Sequence, residues 1–270
     1  MSPKLLATIW CANVHSDLSP SSKMISHEPA PRTAEAYTPT GIGTQTLELL
    51  EDAERYNAWI FSWLEPYLGA RCIELGAGRG TLTRFALARH RVLACEPASA
   101  CRDEVARRFH GHPSLLGVVE ELADIPATND FDAIYSANVL EHIPDDVAIL
   151  GQAARLLKRG GRFAAVVPAG AWLYSGFDAA VGHCRRYTRA DRTRLVAALA
   201  ATGVPLGLTT FEFRNPIGAL GWALKMRWGG QRRIDPTDAE RVERLLPLLR
   251  LVDRVPVPFG QSLVMVWERT

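Results

Sequence analysis

The chain has 270 residues, 47% of them hydrophobic, which is enough to bury a sizeable core in one large domain or two small ones. Its 31 Lys and Arg against 29 Asp and Glu leave a formal net charge of +2, too small and too dispersed for a nucleic-acid footprint. The 5 cysteines, at positions 11, 72, 95, 101 and 184 without a Cys-x-x-Cys pair, argue against a disulfide framework or zinc knuckle and predict a reducing cytoplasm.

Residues 1–45 read as a flexible arm, because Pro20, Pro29, Pro31 and Pro39 forbid a long helix. The end of the arm, with Tyr37 beside Gly41 and Gly43, has the composition of a lid element. Lys4 and the short apolar run from Leu5 to Trp10 resemble a signal peptide only faintly, with no small-residue cleavage site. Nothing in the first 23 residues is expected to be needed for the fold, so translation from Met24 would preserve it. No apolar run is long enough to span a bilayer.

From Thr46, apolar residues at helical spacing (Leu47, Leu50, Ala53, Trp59, Ile60, Trp63, Leu64) predict one amphipathic helix that ends at Pro66 and Gly69. Strands and helices then alternate. Strands are predicted over 71–75, 92–95, 115–119, 131–136 and 162–167, with helices over 81–89, 99–109 and 145–157 between them. A helix over 189–201, a strand over 206–213, an interrupted helical stretch over 216–255 and a strand over 262–268 follow. Gly229, Gly230, Pro236 and Pro247 break the helical stretch too often for one helix. Such alternation predicts an α/β fold, a doubly wound, mostly parallel sheet of seven strands with a helical insertion before the last. The expected organisation is an arm (1–45) and one domain (46–270) with 216–255 as the insertion.

The run Cys72-Ile73-Glu74-Leu75-Gly76-Ala77-Gly78-Arg79-Gly80 reads as strand, tight turn and helix start, a place where backbone amides can approach a ligand closely. Glu96 stands twenty residues after Gly76 at the end of the second strand, where a carboxylate can take both hydroxyls of a ribose. A dinucleotide site would want Gly-x-Gly-x-x-Gly and an apolar residue in place of Glu74. That spacing counts against a nucleotide-linked oxidoreductase; a non-catalytic cofactor-binding scaffold is the other alternative.

With these motifs the chain resembles the class I S-adenosylmethionine-dependent methyltransferases. The 74–80 segment matches the first motif of that family, Glu96 the acid after the second strand, and 131–143 the fourth-strand motif; Leu156 to Arg162 resembles the turn before the fifth strand. The resemblance implies a Rossmann-like fold and S-adenosylmethionine as cofactor, with S-adenosylhomocysteine as product. It implies that Glu74, Gly76, Ala77, Gly78 and Gly80 wrap the amino-acid end, that Glu96 and Pro97 hold the ribose, and that Glu121 and Leu122 meet the adenine. Glu120 and Glu121 form a doublet here, so the resemblance leaves open which carboxylate does so. Asn138 and Val139 fall near the methyl group.

Two histidines are candidate bases: His142, after the fourth-strand motif, and His183, in Gly182-His183-Cys184-Arg185-Arg186-Tyr187 after the fifth strand. This loop resembles a methyltransferase subgroup carrying Gly-His-x-Arg-Arg-Tyr. Thr188 is placed to cap the helix that follows. Arg185, Arg186 and Tyr187 offer donors for an anionic acceptor oxygen, and Trp172, Tyr174 and Tyr37 form a candidate aromatic wall. No metal constellation is expected, since Asp145 and Asp146 read as helix-start acids. The expected reaction is direct methyl transfer to an oxygen of a small-molecule acceptor, a phenol, carboxylate or sugar hydroxyl of natural-product or glycan tailoring. No nucleic-acid partner and no stable membrane insertion are expected, and the chain is expected to be a monomer or homodimer. The 216–255 insertion suits a lid first, a dimer surface next and a membrane-grazing patch last.

Overall fold

A computed structural model describes residues 41–270. The expectations for residues 1–40, including Tyr37, Cys11 and a start at Met24, lie outside the described residues. The chain runs α1 (Ile42–Glu51), α2 (Glu54–Leu64), β1 (Arg71–Leu75), α3 (Thr83–Ala86), β2 (Arg91–Cys95), α4 (Ser99–Arg108), β3 (Leu115–Val119) and β4 (Phe131–Ala137). It continues through α5 (Asp146–Leu156), β5 (Leu157–Pro168), α6 (Gly176–Ala180), α7 (Arg189–Ala201), β6 (Leu206–Arg214), α8 (Pro216–Trp222), α9 (Pro236–Val252) and β7 (Ser262–Arg269).

The seven strands form one sheet in the order β3-β2-β1-β4-β5-β7-β6. The first five pair in parallel, and β7 runs antiparallel between β5 and β6. Strand order reverses between β1 and β4. The crevice outside their carboxyl ends is where open α/β sheets bind ligands.

Side chains along each inner strand alternate between two apolar layers, as a period of two requires. Ile73, Ile134, Phe163, Ala165, Met265 and Trp267 face one layer, which is covered by Leu150 and Ala153 of α5 and by Leu195 and Leu199 of α7. Cys72, Ala133, Tyr135, Ala164, Val166 and Val264 face the other, covered by Trp59, Ile60 and Trp63 of α2 and by Leu246 and Leu249 of α9. Large side chains sealed in this way contribute about 1.5–3 kcal/mol each.

The structure departs from expectation in several elements; β5, for one, begins at Leu157 and not at 162. The single helix expected from Thr46 is two, starting at Ile42 and breaking at Asp52 and Ala53, where buried Ala53 turns the chain toward the core. The helix after the glycine turn is one turn long, not nine residues. Thr83 opens it with its hydroxyl bonded to Glu74 at 2.6 Å, and the chain must reach Arg91 in β2 soon after. Conversely, α9 continues through Pro247. Leu246 and Leu249 on either side are buried in the core and hold the helix across the missing amide. Among the described residues, no helix is long and apolar enough to cross a membrane.

Candidate active site

Gly76, Gly78 and Gly80 all adopt positive φ, at 75°, 53° and 85°. Gly76 also has no room for a side chain, since a Cβ there would stand 2.3 Å from Val139 Cγ2. The turn therefore brings bare backbone against the end of β4. Its amides are not open as the sequence suggested. Those of Gly76 and Ala77 donate to Cys95 O at 2.8 and 3.1 Å, Gly80 N to Ala77 O at 2.9 Å, and Gly78 N to Glu96 Oε2 at 2.8 Å. What the turn offers is close approach and a fixed acid.

That acid is Glu96, 7% exposed at the carboxyl end of β2, with Oε1 accepting from Ala98 N at 2.9 Å. Burial pushes its pKa up, and the Ala98 and Gly78 amides pull it back. Each oxygen keeps a second lone pair. Glu74 is buried deeper. Its Oε2 accepts from Thr83 Oγ1 at 2.6 Å and Tyr135 OH at 2.9 Å, and neither bond uses Oε1. Burial raises its pKa to about 8 against those two bonds.

Asn138, with φ 55°, ends β4 exposed, and Val139 leads into the one-turn helix Leu140–His142. Loop 169–187 folds back onto this turn. Cys184 N donates to Glu141 O at 2.8 Å, Tyr187 OH to Leu140 O at 3.2 Å, and Tyr174 OH to His183 O at 2.8 Å. His183 Nδ1 meets Asp178 Oδ1 at 2.8 Å and Nε2 lies 3.8 Å from Glu141 Oε1. The His142 and His183 rings stand edge to face, centroids 4.7 Å apart. Burial, and then His183 beside it, holds the His142 imidazole down at about 3, with a backbone hydrogen bond to Gly182 opposing. Burial lifts Glu141 to about 7, with His183 opposing.

Residues 73–163 match the model of a family described as "Methyltransferase domain". Over these residues the chain carries a methyltransferase domain. Ubiquinone biosynthesis O-methyltransferases of Xanthomonas oryzae pv. oryzae (strain PXO99A) and Xylella fastidiosa (strain 9a5c) are 37% and 38% identical over 101 and 104 residues, 35% and 36% of this chain. The match spans 41% of the length of each of these curated relatives. A geranyl diphosphate methyltransferase in complex with SAM superposes with TM-score 0.57 at 17% identity, over 90% of this chain and 96% of that one. The geranyl diphosphate C-methyltransferase of Streptomyces coelicolor A3(2), with Mg2+, geranyl diphosphate and S-adenosyl-L-homocysteine, gives 0.56 at 17% identity, over 90% and 89%. These likenesses concern the fold.

Within the methyltransferase domain, the cradle residues Glu74, Gly76, Ala77, Gly78, Gly80 and Glu96 come together at the β1 and β2 ends, with Val139 against Gly76. Pro97 is exposed beside Glu96. Glu120 of the acidic doublet pairs with Arg102 at 3.1 Å, whereas Glu121 caps the turn Leu122–Asp124 in a capping box with Asp124. Leu122 is buried in the core.

On the other side, the loop donors are used within the domain instead of facing an acceptor. Arg185 donates to Asp146 Oδ2 and Pro144 O, and Arg186, 5% exposed, to Asp178 Oδ1 and Ala169 O. Tyr187 OH shares its one hydrogen between Leu140 O and Asp146 Oδ2, the latter at 3.0 Å. Trp172 is exposed and Tyr174 half-buried. Thr188 caps α7 in a capping box with Asp191, as expected. Two features escaped sequence reading. Asp178 organises both His183 and Arg186, and Glu141 joins the two histidines. The only available signals were the Asp five residues before His183 and the Glu-His pair itself.

Proposed function

We propose that this domain transfers the methyl group of S-adenosylmethionine to an oxygen of a small-molecule acceptor, a phenol, carboxylate or sugar hydroxyl. The observation that carries the reading is the Gly78–Glu96 bond at 2.8 Å, which fixes a nearly sealed carboxylate beside a turn of alternate glycines at the switch point of the sheet. The residues present fit the cofactor. Gly76 is a cradle position that a Cβ would fill, and Glu96 has lone pairs left for two ribose hydroxyls.

When bound, S-adenosylmethionine supplies an already activated methyl on a sulfonium. Glu96 binds the ribose, and the turn at 76–80 lies along the amino-acid end. Glu74, fixed at Oε2 by Thr83 and Tyr135, would offer Oε1 to the ammonium of that end. Asn138 and Val139 border the methyl, and the Glu120–Glu121 doublet lies toward the adenine, Glu120 paired with Arg102 and Glu121 in its capping box. The acceptor lies on the side of loop 169–187, toward His183. α8 backs that loop: Trp222 packs on Phe177 and Nε1 donates to Leu173 O at 3.2 Å, which suits a wall of the acceptor pocket.

Calorimetric titration with S-adenosylhomocysteine tests the cofactor side. Binding is expected, and Glu96→Ala should weaken it at least tenfold, because two charge-assisted hydrogen bonds of roughly 1.5–3 kcal/mol each are lost. S-adenosylhomocysteine release against a panel of phenols, carboxylic acids and sugars tests the acceptor side, and His183→Ala should lower turnover at unchanged cofactor affinity. Absence of any cofactor binding would overturn the reading.

A further inference from the structure

Glu141 is 0% exposed, and apart from its own backbone amide no donor among the described residues reaches either carboxylate oxygen. A carboxylate sealed in this way lacks the partners that buried charges normally keep. Two imidazoles face it. One ligand atom from each of Glu141, His142 and His183 lies within 4.8 Å of the other two.

The His183 ring is set from behind. Asp178 Oδ1 can only accept, so the hydrogen at 2.8 Å is on Nδ1, and Nε2 is the atom turned toward Glu141. The 3.8 Å between Nε2 and Glu141 Oε1 is too long for an imidazolium–carboxylate hydrogen bond, which would close to about 2.7–2.9 Å. It is close to the roughly 3.4 Å that separates two ligands of one tetrahedral ion with bonds near 2.1 Å. A carboxylate behind a histidine is also the usual support of a metal ligand. Asp178 already pairs with Arg186 at 2.7 Å, whereas Glu141 has no cation within direct hydrogen-bonding reach among the described residues.

We propose that Glu141, His142 and His183 bind one divalent transition-metal ion of the zinc type. Two nitrogens and one carboxylate oxygen are a zinc-like set, whereas Mg2+ and Ca2+ take oxygen ligands, and three protein ligands leave a fourth position open. The site is built from the turn after β4 and the loop after β5, at the carboxyl edge of the sheet. The use of the open position rests on the methyl-transfer reading; the binding itself does not. There the ion would lower the pKa of an acceptor hydroxyl, whose proton leaves to solvent. The oxygen–methyl bond then forms as the sulfur–methyl bond breaks, its electron pair staying on sulfur. His183 would act through the ion and not as a free base.

The test is metal stoichiometry. Full-length protein is stripped with a chelator, dialysed and titrated with Zn2+ by calorimetry, with bound metal counted by mass spectrometry and Co2+ used as an optical reporter. One equivalent per chain is expected, with the visible bands of a tetrahedral cobalt site. Glu141→Gln and His183→Ala should each lose at least tenfold in affinity, and Asp178→Asn about 10–100-fold. Circular dichroism and S-adenosylhomocysteine binding check that each variant is folded. Wild-type protein without stoichiometric metal would overturn the proposal, as would folded Glu141→Gln and His183→Ala variants that bind like wild type. Metal binding retained in a protein that does not bind S-adenosylhomocysteine would support the site and count against the methyl-transfer reading alone.

Discussion

Asp178 Oδ1 accepts from His183 Nδ1 at 2.8 Å and from Arg186 Nε at 2.7 Å, so one carboxylate orients an imidazole and neutralises a buried guanidinium. Its Oδ2 also accepts from the Ser175 amide and hydroxyl, both at 2.9 Å. Asp178→Asn keeps the shape and removes the charge, leaving Arg186 buried and unpaired. The expected loss is about 3–5 kcal/mol in urea denaturation. A variant as stable as wild type would mean that Arg186 finds its compensation elsewhere.

Gly76 and Val139 should be energetically coupled. Gly76→Ala meets both a φ of 75° and a methyl 2.3 Å away. The left-handed backbone alone costs roughly 1–2 kcal/mol. Val139→Ala should cost on the order of 1 kcal/mol by itself and relieve the clash in the double variant, without relieving the backbone strain. The double mutant is therefore expected to be more stable than the sum of the singles by about 1 kcal/mol or more. Additive denaturation midpoints would contradict the close approach.

Stability should be greatest in mildly acidic buffer, because two buried carboxyls pull in opposite directions. Glu74 rises from an ordinary 4.5 to about 8 in the fold, so the native state holds its proton more tightly and stability falls as pH climbs through that window. Burial alone would also raise Asp146, but the hydrogen bond and charge of Arg194, then Arg185 and Tyr187, hold it below its ordinary 3.8. Its contribution is complete above that value and is lost as pH drops below it. Comparing denaturation at about pH 5 and about pH 8, wild type should weaken by up to a few kcal/mol at the higher pH, and Glu74→Gln by clearly less. An equal pH response in both would remove Glu74 as the cause.

Trp222 ties α8 to the loop it backs. The Phe177 ring stands 5.1 Å away at 86°, and the Arg186 guanidinium lies over the indole at 4.7 Å. Trp222→Ala should cost about 3 kcal/mol, and each kcal/mol should lower the melting temperature by about 2–4 °C for a domain of this size. Trp222→Phe keeps an aromatic face and should retain more than half of that.

Much of the sheet was legible because its strands are short apolar runs punctuated by turns. β1, β3 and α7 fall within their predicted bounds, and Gly76 and Glu96 were readable together because one β-α-β unit separates them. The break at Asp52 and the passage of α9 through Pro247 depend on what lies beneath each helix, which periodicity does not report. The donors of Arg186 and Tyr187 could be counted in the sequence, but not that they turn inward to Asp178 and Asp146. Glu141 and His183 are brought together by the Cys184–Glu141 backbone bond between two loops, a contact with no local signature.

The antiparallel β7 has a consequence for how the chain can be made. β6 hydrogen-bonds to β7 alone, and β7 inserts between β5 and β6 although it is the last of the three to be synthesised. Until residues 262–269 leave the ribosome, β5 has an open edge and β6 has no neighbour at all. Between the synthesis of β6 and that of β7 the growing chain must therefore carry unpaired strand edges, a period of exposure to edge-to-edge aggregation. Closure of the sheet waits on the strand made last of the three.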